Sequence, residues 1–428
     1  MHLHTSRRWR AAAAGIAAFA LVLVGCSAEE SFSYTPPDQV DAALPDDTAA
    51  QLQGAVDNAI AKSGATGAIV GVWVPWSGTW VTGTGTQSVE DQTEVTTDMS
   101  FRIADTTRMM TCDVLYGLAD EDVVELDDLV PTYVSGVPQL EDITLLDLCN
   151  GTSGLGASEA TVRGMWLNTP EREWGPLELA SFGIGQEAVA PHTTYRDSDS
   201  GYLLLGLALE RATGKSASEL IREYVTSPLG LEGTSLPGRK AAPPGDEKSL
   251  AGNYLPAIEG GYNCAAPIDI TTLSASTGFT DSGAVSTIDD LGHYVQASAR
   301  QGLRKEGAKP DRFGAPLPVS ANAESWYQAT GGAFMVGPLI GQHGWTPGYA
   351  SAAYSDPATG FTVAVALNNS SAGSGVAAYL AWEIAAIASK APAAEGQTAP
   401  EFGLPFTAEQ YHQTISDMAI CATPPAAG

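Results

Sequence analysis

A chain of 428 residues with 49 acidic and 21 basic side chains carries a formal net charge of -28. Its 44% hydrophobic content and nine Trp exclude a disordered acidic chain, because that much apolar surface collapses; the length suffices for one large or two medium domains with a proper core. The negative excess also argues against phosphate-backbone binding, which needs clustered Lys and Arg, so nucleic acid is not an expected partner.

In chain order, Arg7, Arg8 and Arg10 precede an apolar run from Ala11 to Gly25, too short to span a bilayer but suited to a secretory segment. The run ends in Leu23-Val24-Gly25-Cys26, which resembles a bacterial lipobox. That resemblance implies a signal peptide over residues 1–25 and a diacylated Cys26 tethering the protein to the extracytoplasmic face of the membrane. Ordinary secretion without the lipid is the alternative, and Ser6-Arg7-Arg8 leaves twin-arginine export open. Residues 26–47, with Glu29-Glu30 and Pro36-Pro37, read as a polar tether.

A single domain is expected over residues 48–390. Leu52, Val56 and Ile60 share one helical face. Ala68 to Val74 and Trp80 to Gly85 flank Pro75-Trp76-Ser77-Gly78 as strand, turn and strand. A helical middle with long loops follows. A second hairpin joins Ala350–Tyr354 to Phe361–Leu367, and a helix runs from Val376 to Ala388. Residues 391–428 form an Ala- and Pro-rich tail in which Thr407 to Cys421 suits a short helix. Strands at both ends around a helical middle predict an α/β (α+β) fold: an antiparallel sheet built from N- and C-terminal segments, flanked by helices, with a mostly helical inserted subdomain.

Beyond Cys26 the cysteines are Cys112, Cys149, Cys264 and Cys421. An even number in an exported chain suggests two disulfides with three connectivities open, against four buried thiols as the alternative. No Cys or His pair has close ligand spacing and no His-Glu-x-x-His occurs, so neither a metal nor a cofactor is expected.

Phe101-Arg102-Ile103-Ala104, Leu126-Asp127-Asp128, Thr152-Ser153-Gly154-Leu155, Gly201-Tyr202-Leu203-Leu204-Leu205-Gly206, Pro228-Leu229-Gly230-Leu231, Gly283-Ala284-Val285-Ser286-Thr287 and Thr346-Pro347-Gly348-Tyr349 stand in one order. Over residues 50 to 390 the chain resembles the serine beta-lactamase and DD-peptidase (penicillin-binding protein) superfamily, in its class C-like branch. The resemblance implies that superfamily's fold and three catalytic elements, each locatable by its flanks. Where Ser-x-x-Lys would supply a nucleophile and an ammonium one turn later, this chain has Asp105-Thr106-Thr107-Arg108. A guanidinium stays charged at physiological pH and cannot shuttle a proton. Where Tyr-x-Asn would stand, nine residues before Gly206, the chain reads Asp197-Ser198-Asp199; a one-residue shift gives Ser198-Asp199-Ser200. Where Lys- or His-Thr-Gly would stand, it reads Gln342-His343-Gly344, with His343 one place from the family's position.

All three catalytic elements are therefore substituted, and groups that act as one unit leave little when all are gone. The expected protein is an exported, lipid-anchored pseudoenzyme with a binding or scaffold role in the cell envelope; the alternative is a residual serine hydrolase of the beta-lactamase, carboxypeptidase or esterase type, with Thr106, Thr107 or Ser198 as displaced nucleophile. In the plainer reading Asp105 caps its helix and Arg108 pairs with Asp197 and Asp199. In the sharper one, Asp105, Asp197, Asp199 and His343 bind a ligand, either a divalent cation or the cationic amine of a cell-wall peptide. In the family fold Cys112 and Cys149 both fall in the helical part, which implies Cys112–Cys149 and Cys264–Cys421 pairing. His192 and His293 read as surface or packed residues, and Trp326, Tyr327 and Trp345 as core residues near the third element or walls of its cleft.

Overall fold

The computed structural model describes residues 34–245, 248–305 and 307–421. The expected signal peptide, Cys26 and the first part of the tether lie outside the described residues.

The segment Gly-Ala-Ile-Val-Gly-Val-Trp-Val is apolar on both of its alternating faces, as a strand covered on both sides must be. It forms β1 (Gly67–Val74), turns through Pro75-Trp76-Ser77 and returns as β2 (Gly78–Gly85), paired from Gly67↔Gly85 to Val74↔Gly78. Six further strands come from the C-terminal part: β3 (Leu317–Pro318), β4 (Tyr327–Thr330), β5 (Ala333–Val336), β6 (Leu339–Thr346), β7 (Tyr349–Ser355) and β8 (Thr362–Leu367). The order β3-β4-β5-β6-β7-β8-β1-β2 is antiparallel throughout, and β1 joins the two ends of the chain by pairing with β8 from Ala68↔Leu367 to Trp73↔Thr362. The sequence expectation of one sheet assembled from N- and C-terminal segments holds.

The helices that build the core and the site are α1 (Asp46–Ser63), α2 (Thr106–Asp120), α3 (Leu145–Asn150), α4 (Glu159–Asn168), α5 (Pro176–Ile184), α6 (Asp199–Thr213), α7 (Phe279–Ser282), α8 (Ile288–Ala299), α9 (Ser374–Ala388) and α10 (Ala408–Asp417). Because side chains alternate across a strand, the sheet feeds two cores. Val70, Val72 and Val363 pack with Leu52 and Val56 of α1 and Leu380 and Ile384 of α9. Ile69 and Ala364 face the other way, toward Met109 and Met110 of α2 and Leu291 and Tyr294 of α8.

Residues 34–45, assigned to the tether by composition, run along the β1–β2 hairpin: the Thr79 N–H donates to Ala42 O at 2.8 Å, the Leu44 N–H donates to Thr79 O at 3.1 Å, and Leu44 is buried. In the tail, Tyr411 of α10 stacks on Tyr379 at 5.3 Å and Ile415 is buried. Disulfides join Cys112 to Cys149 and Cys264 to Cys421, with Cα separations of 5.6 and 5.9 Å. The first ties α2 to α3; the second fastens the chain just beyond α10. Trp326 and Tyr327 belong to the aromatic core around Trp382. His192 is partly exposed, with its Nδ1 2.8 Å from Asp147 Oδ1.

Candidate active-site cleft

Helix α2 is buried almost all round, so its polar side chains must find partners inside the protein. Ala104 just before it has a φ of 46°, a left-handed turn rare for a residue with a Cβ. Asp105 stands at the N-cap position but in helical conformation, and its side chain caps nothing, contrary to the sequence expectation. The carboxylate turns instead to Arg108, with Oδ2 3.3 Å from Nη2.

Arg108 has 3% of its side chain exposed and is held by three carboxylates. Its Nη1 donates to Asp197 Oδ1 at 2.6 Å and its Nε to Asp281 Oδ1 at 2.7 Å, while the guanidinium lies 4.9 Å from the centre of the Tyr202 ring. Burial disfavours its charge, but Asp105, Asp197 and Asp281 outweigh that and hold its pKa well above the usual value. Burial also raises two of the carboxyl groups, which pushes them toward their neutral forms. Burial raises Asp105 well above the ordinary Asp value against the pull of Arg108, with Asp281 and Asp197 adding to the rise. Asp281 is pushed up to about 6, again by burial first. Glu159, the first residue of α4, is pushed to about 7 by burial and then by Asp199 and Asp281.

Asp199 is not a partner of Arg108. Its carboxylate accepts from both the N–H and the hydroxyl of Ser158, and so fixes the start of α4. The reason lies in α6: Asp199 is its first residue, two positions beyond Asp197, and points to the α4 side. Ser198 caps α6, accepting from the Gly201 N–H and donating to Gly156 O at 2.8 Å. Thr107 donates to Ala104 O at 2.7 Å and accepts from the Ala284 N–H. The Thr106 hydroxyl is buried and has no partner.

The third element lies on β6. A Cβ on Gly344 would fall 2.2 Å from Asp105 Cγ, so only glycine lets the strand pass this close to the start of α2. Gln342 shares that face; its Nε2 donates to Gly332 O at 3.0 Å and its Oε1 accepts from the His343 N–H at 2.9 Å. His343 falls on the opposite face, because neighbouring strand residues point to opposite sides. It stacks on Phe334 at 4.7 Å, its Nδ1 lies 2.6 Å from the Tyr354 hydroxyl, and burial lowers its pKa to about 4. The expectation that it joins the carboxylates as a ligand group is thus corrected.

The structure brings together Asp105, Arg108, Asp197 and Gly344, sets Asp199 and His343 apart, and adds Asp281 and Glu159, which the sequence reading missed. Asp281 precedes the Gly283-Ala284-Val285-Ser286 landmark by two residues and Glu159 follows Thr152-Ser153-Gly154-Leu155 closely; those positions are the signal that could have found them. Among the described residues no group of three or more His, Cys, Asp or Glu side chains is arranged to hold a metal ion.

Comparison with known proteins agrees with this geometry. A family model described as Beta-lactamase matches residues 52–386. Over 154 residues the chain is 34% identical to the D-alanyl-D-alanine-carboxypeptidase/endopeptidase AmpH of Escherichia coli K12, covering 32% of this chain and 37% of that protein. Over 185 residues it is 30% identical to the D-aminopeptidase of Gluconobacter oxydans, covering 41% of this chain and 34% of that one. The chain therefore matches little more than a third of the length of either relative. In fold it is similar to a D-stereospecific amidohydrolase from Streptomyces sp. (TM-score 0.66, 22% identity, 76% of this chain and 95% of that one) and to the octameric penicillin-binding protein homologue from Pyrococcus abyssi (TM-score 0.62, 22% identity, 79% and 76%). With a family match over most of its length, and the matching fold around a cleft at the start of α2, the chain belongs to the beta-lactamase family.

Proposed function

We propose that this member of the beta-lactamase family is an exported cell-envelope protein that binds a ligand in its cleft and no longer performs acyl transfer through a serine. The observation that carries the reading is Arg108. A proton shuttle must exchange protons near neutral pH, whereas this guanidinium is buried among three carboxylates that hold it charged. Asp105, beside it, can donate or accept a proton but offers no hydroxyl for acylation. Three carboxyl groups face one cation, and although burial pushes Asp105 and Asp281 toward their neutral forms, an arriving cationic group such as the amine of a cell-wall peptide would favour their ionisation. Labelling with a fluorescent penicillin, together with ester hydrolysis, tests the proposal: no adduct is expected, and a covalent adduct on any Ser or Thr overturns it. The triple change Asp105→Ser, Arg108→Lys, Asp197→Tyr is the positive control for a rebuilt site.

A second reading, residual hydrolysis, is favoured by the activities in the names of the relatives and by the unpartnered Thr106 hydroxyl next to Asp105. The same labelling experiment with Thr106→Val separates the two.

Export and lipid anchoring are part of the proposal. They are supported by the order of basic segment, apolar run and Leu-Val-Gly-Cys, and by two disulfides of the kind an oxidising compartment maintains. Metabolic labelling with radioactive palmitate is expected to mark the wild type and not Cys26→Ala; equal labelling overturns the anchor.

A further inference from the structure

The segment from Tyr34 to Leu44 is a strap seated on the domain. The Tyr34 hydroxyl donates to Gln296 Oε1 of α8 at 3.3 Å, and a Cβ on Gly302 would fall 2.5 Å from the Tyr34 ring. Pro37 fills the space over Gly360, where a Cβ would fall 2.3 Å from its Cγ, and the Gln39 amide donates to Val74 O and Gly78 O at 3.1 and 3.2 Å. The point at which the chain enters the fold is therefore fixed at the C-terminal end of α8. Seven residues separate Tyr34 from Cys26, a stretch that reaches no more than about 30 Å when fully extended.

For so acidic a protein the entry point has an unusual neighbourhood. Arg300, Arg304, Lys305 and Lys309 put four of the chain's 21 basic residues into ten positions, against one acid, Glu306. Arg304 is buried in a pair with Asp120, whereas Arg300, Lys305 and Lys309 are exposed. Burial raises the Tyr34 phenol and Arg300 pulls it back, which places that guanidinium near the strap. Lys305 follows Gly302, the residue under the Tyr34 ring, by three positions, a span of at most about 11 Å. Arg300 donates to Pro357 O and Lys305 to Asp120 O, and each keeps further N–H groups for another acceptor.

We propose that residues 300–309 are the surface this protein turns toward the membrane, with Arg300, Lys305 and Lys309 meeting the phosphate headgroups of anionic phospholipid. Basic side chains close to such a surface are drawn to it, and the attraction fades over about one Debye length, ~10 Å at moderate salt. An anchor whose chain enters the fold beside them brings them within reach. The formal charge of -28 on the whole chain means that the same surface repels the acidic faces, so the basic segment decides the orientation. The inference goes beyond the anchoring at Cys26 proposed above and rests on it.

The test is energy transfer from a fluorophore on Ala308→Cys to an acceptor carried on lipid headgroups. The lipidated chain is placed in vesicles of phosphatidylcholine alone or mixed with phosphatidylglycerol; the disulfides and the acylated Cys26 leave the new thiol as the one to label. Transfer is expected to be roughly twofold stronger with phosphatidylglycerol, and to fall to the phosphatidylcholine level at high ionic strength. Adding Arg300→Gln/Lys305→Gln/Lys309→Gln, all at exposed positions, is expected to remove the gain. Equal transfer in the two lipids overturns the proposal, as does a gain that survives high salt or the triple change. Holding the chain on nickel-chelating lipid, through a hexahistidine tag in place of Cys26, gives the same reading without acylation. A failed anchor, seen as no palmitate label, is thereby told apart from a failed surface, seen as no dependence on lipid charge.

Discussion

Two buried arginines touch the same helix, and their surroundings differ in one respect. Arg312 meets one carboxylate: it pairs with Asp113 of α2, and its remaining donors go to Gly331 O at 2.9 Å, Met109 O at 2.9 Å and the Ser298 hydroxyl at 3.2 Å. Asp113 is completed by the Tyr294 and Ser298 hydroxyls at 2.7 and 3.1 Å. Charge is balanced and the polar atoms of the pair are met, which is how a buried ion pair serves a fold. Arg108, five residues earlier on α2, meets three carboxylates, two of them pushed toward the protonated form. One cation among three acids is not a balanced pair. The comparison separates a closed, charge-balanced pair at Arg312 from a cluster at Arg108 in which acidic groups outnumber the cation.

The largest effect is expected at the balanced pair. Arg312→Met leaves Asp113 buried without a counter-ion and should cost about 3–5 kcal/mol in chemical denaturation. The double change Asp113→Asn/Arg312→Met should recover much of that loss, since both charges leave together. A double variant as unstable as the single one would break the description of Arg312 as half of a closed unit.

At the unbalanced site the same substitution should behave differently. Arg108→Met leaves three acids together, and at pH 7 about 2–4 kcal/mol of stability should go. Acid should restore part of it: Asp105 and Asp281 are already raised, Asp281 to about 6, so lowering the pH toward 5 neutralises them in the folded protein. Urea midpoints for wild type and variant at pH 7 and pH 5 give the comparison. The deficit of Arg108→Met should shrink at pH 5; a deficit of equal size at both values would show that the excess charge is not what the arginine offsets.

How much of this could be read from the sequence depended on whether local pattern or tertiary position decided it. The sheet was legible because β1 and β8 are apolar on both faces and each hairpin carries its own turn. Asp105, Arg108 and Asp197 were legible because each sits at a fixed offset from a landmark that survives, the Phe101-Arg102-Ile103-Ala104 run for the first two and Gly206 for the third. Asp281 was hidden, because it lies on the four-residue α7 and reaches Arg108 only through packing of that turn against α2. Asp199 was misassigned: being near Asp197 in sequence says nothing about which way a helix start aims a side chain, and Ser158 claims it. His343 could have been placed correctly from strand parity alone. Once Gly344 faces the helix, its neighbour must face the other core.

The smallest expected effect concerns Glu159, at the rim of the unbalanced site. Its carboxyl is raised from the ordinary 4.5 to about 7, by burial first and then by Asp199 and Asp281. In that window the folded state binds a proton more tightly than the unfolded chain does, so stability is highest below about 4.5 and falls as pH rises toward 7. Gln cannot titrate, so Glu159→Gln should remove this slope. Below pH 4.5 the two proteins should melt together; above pH 7 the variant should be the more stable by about 1–2 kcal/mol, a rise of a few degrees. At the balanced site burial raises the Asp113 carboxyl too, against the pull of Arg312, but Asp113→Asn takes the counter-charge from Arg312 and should destabilise at neutral pH. Melting curves of both variants across pH 4 to 8 therefore separate a carboxylate the fold requires from one it only tolerates. If Glu159→Gln were destabilising at pH 7.5, the rim of the cleft would belong to the fold, and the excess charge there would need an internal partner rather than a ligand.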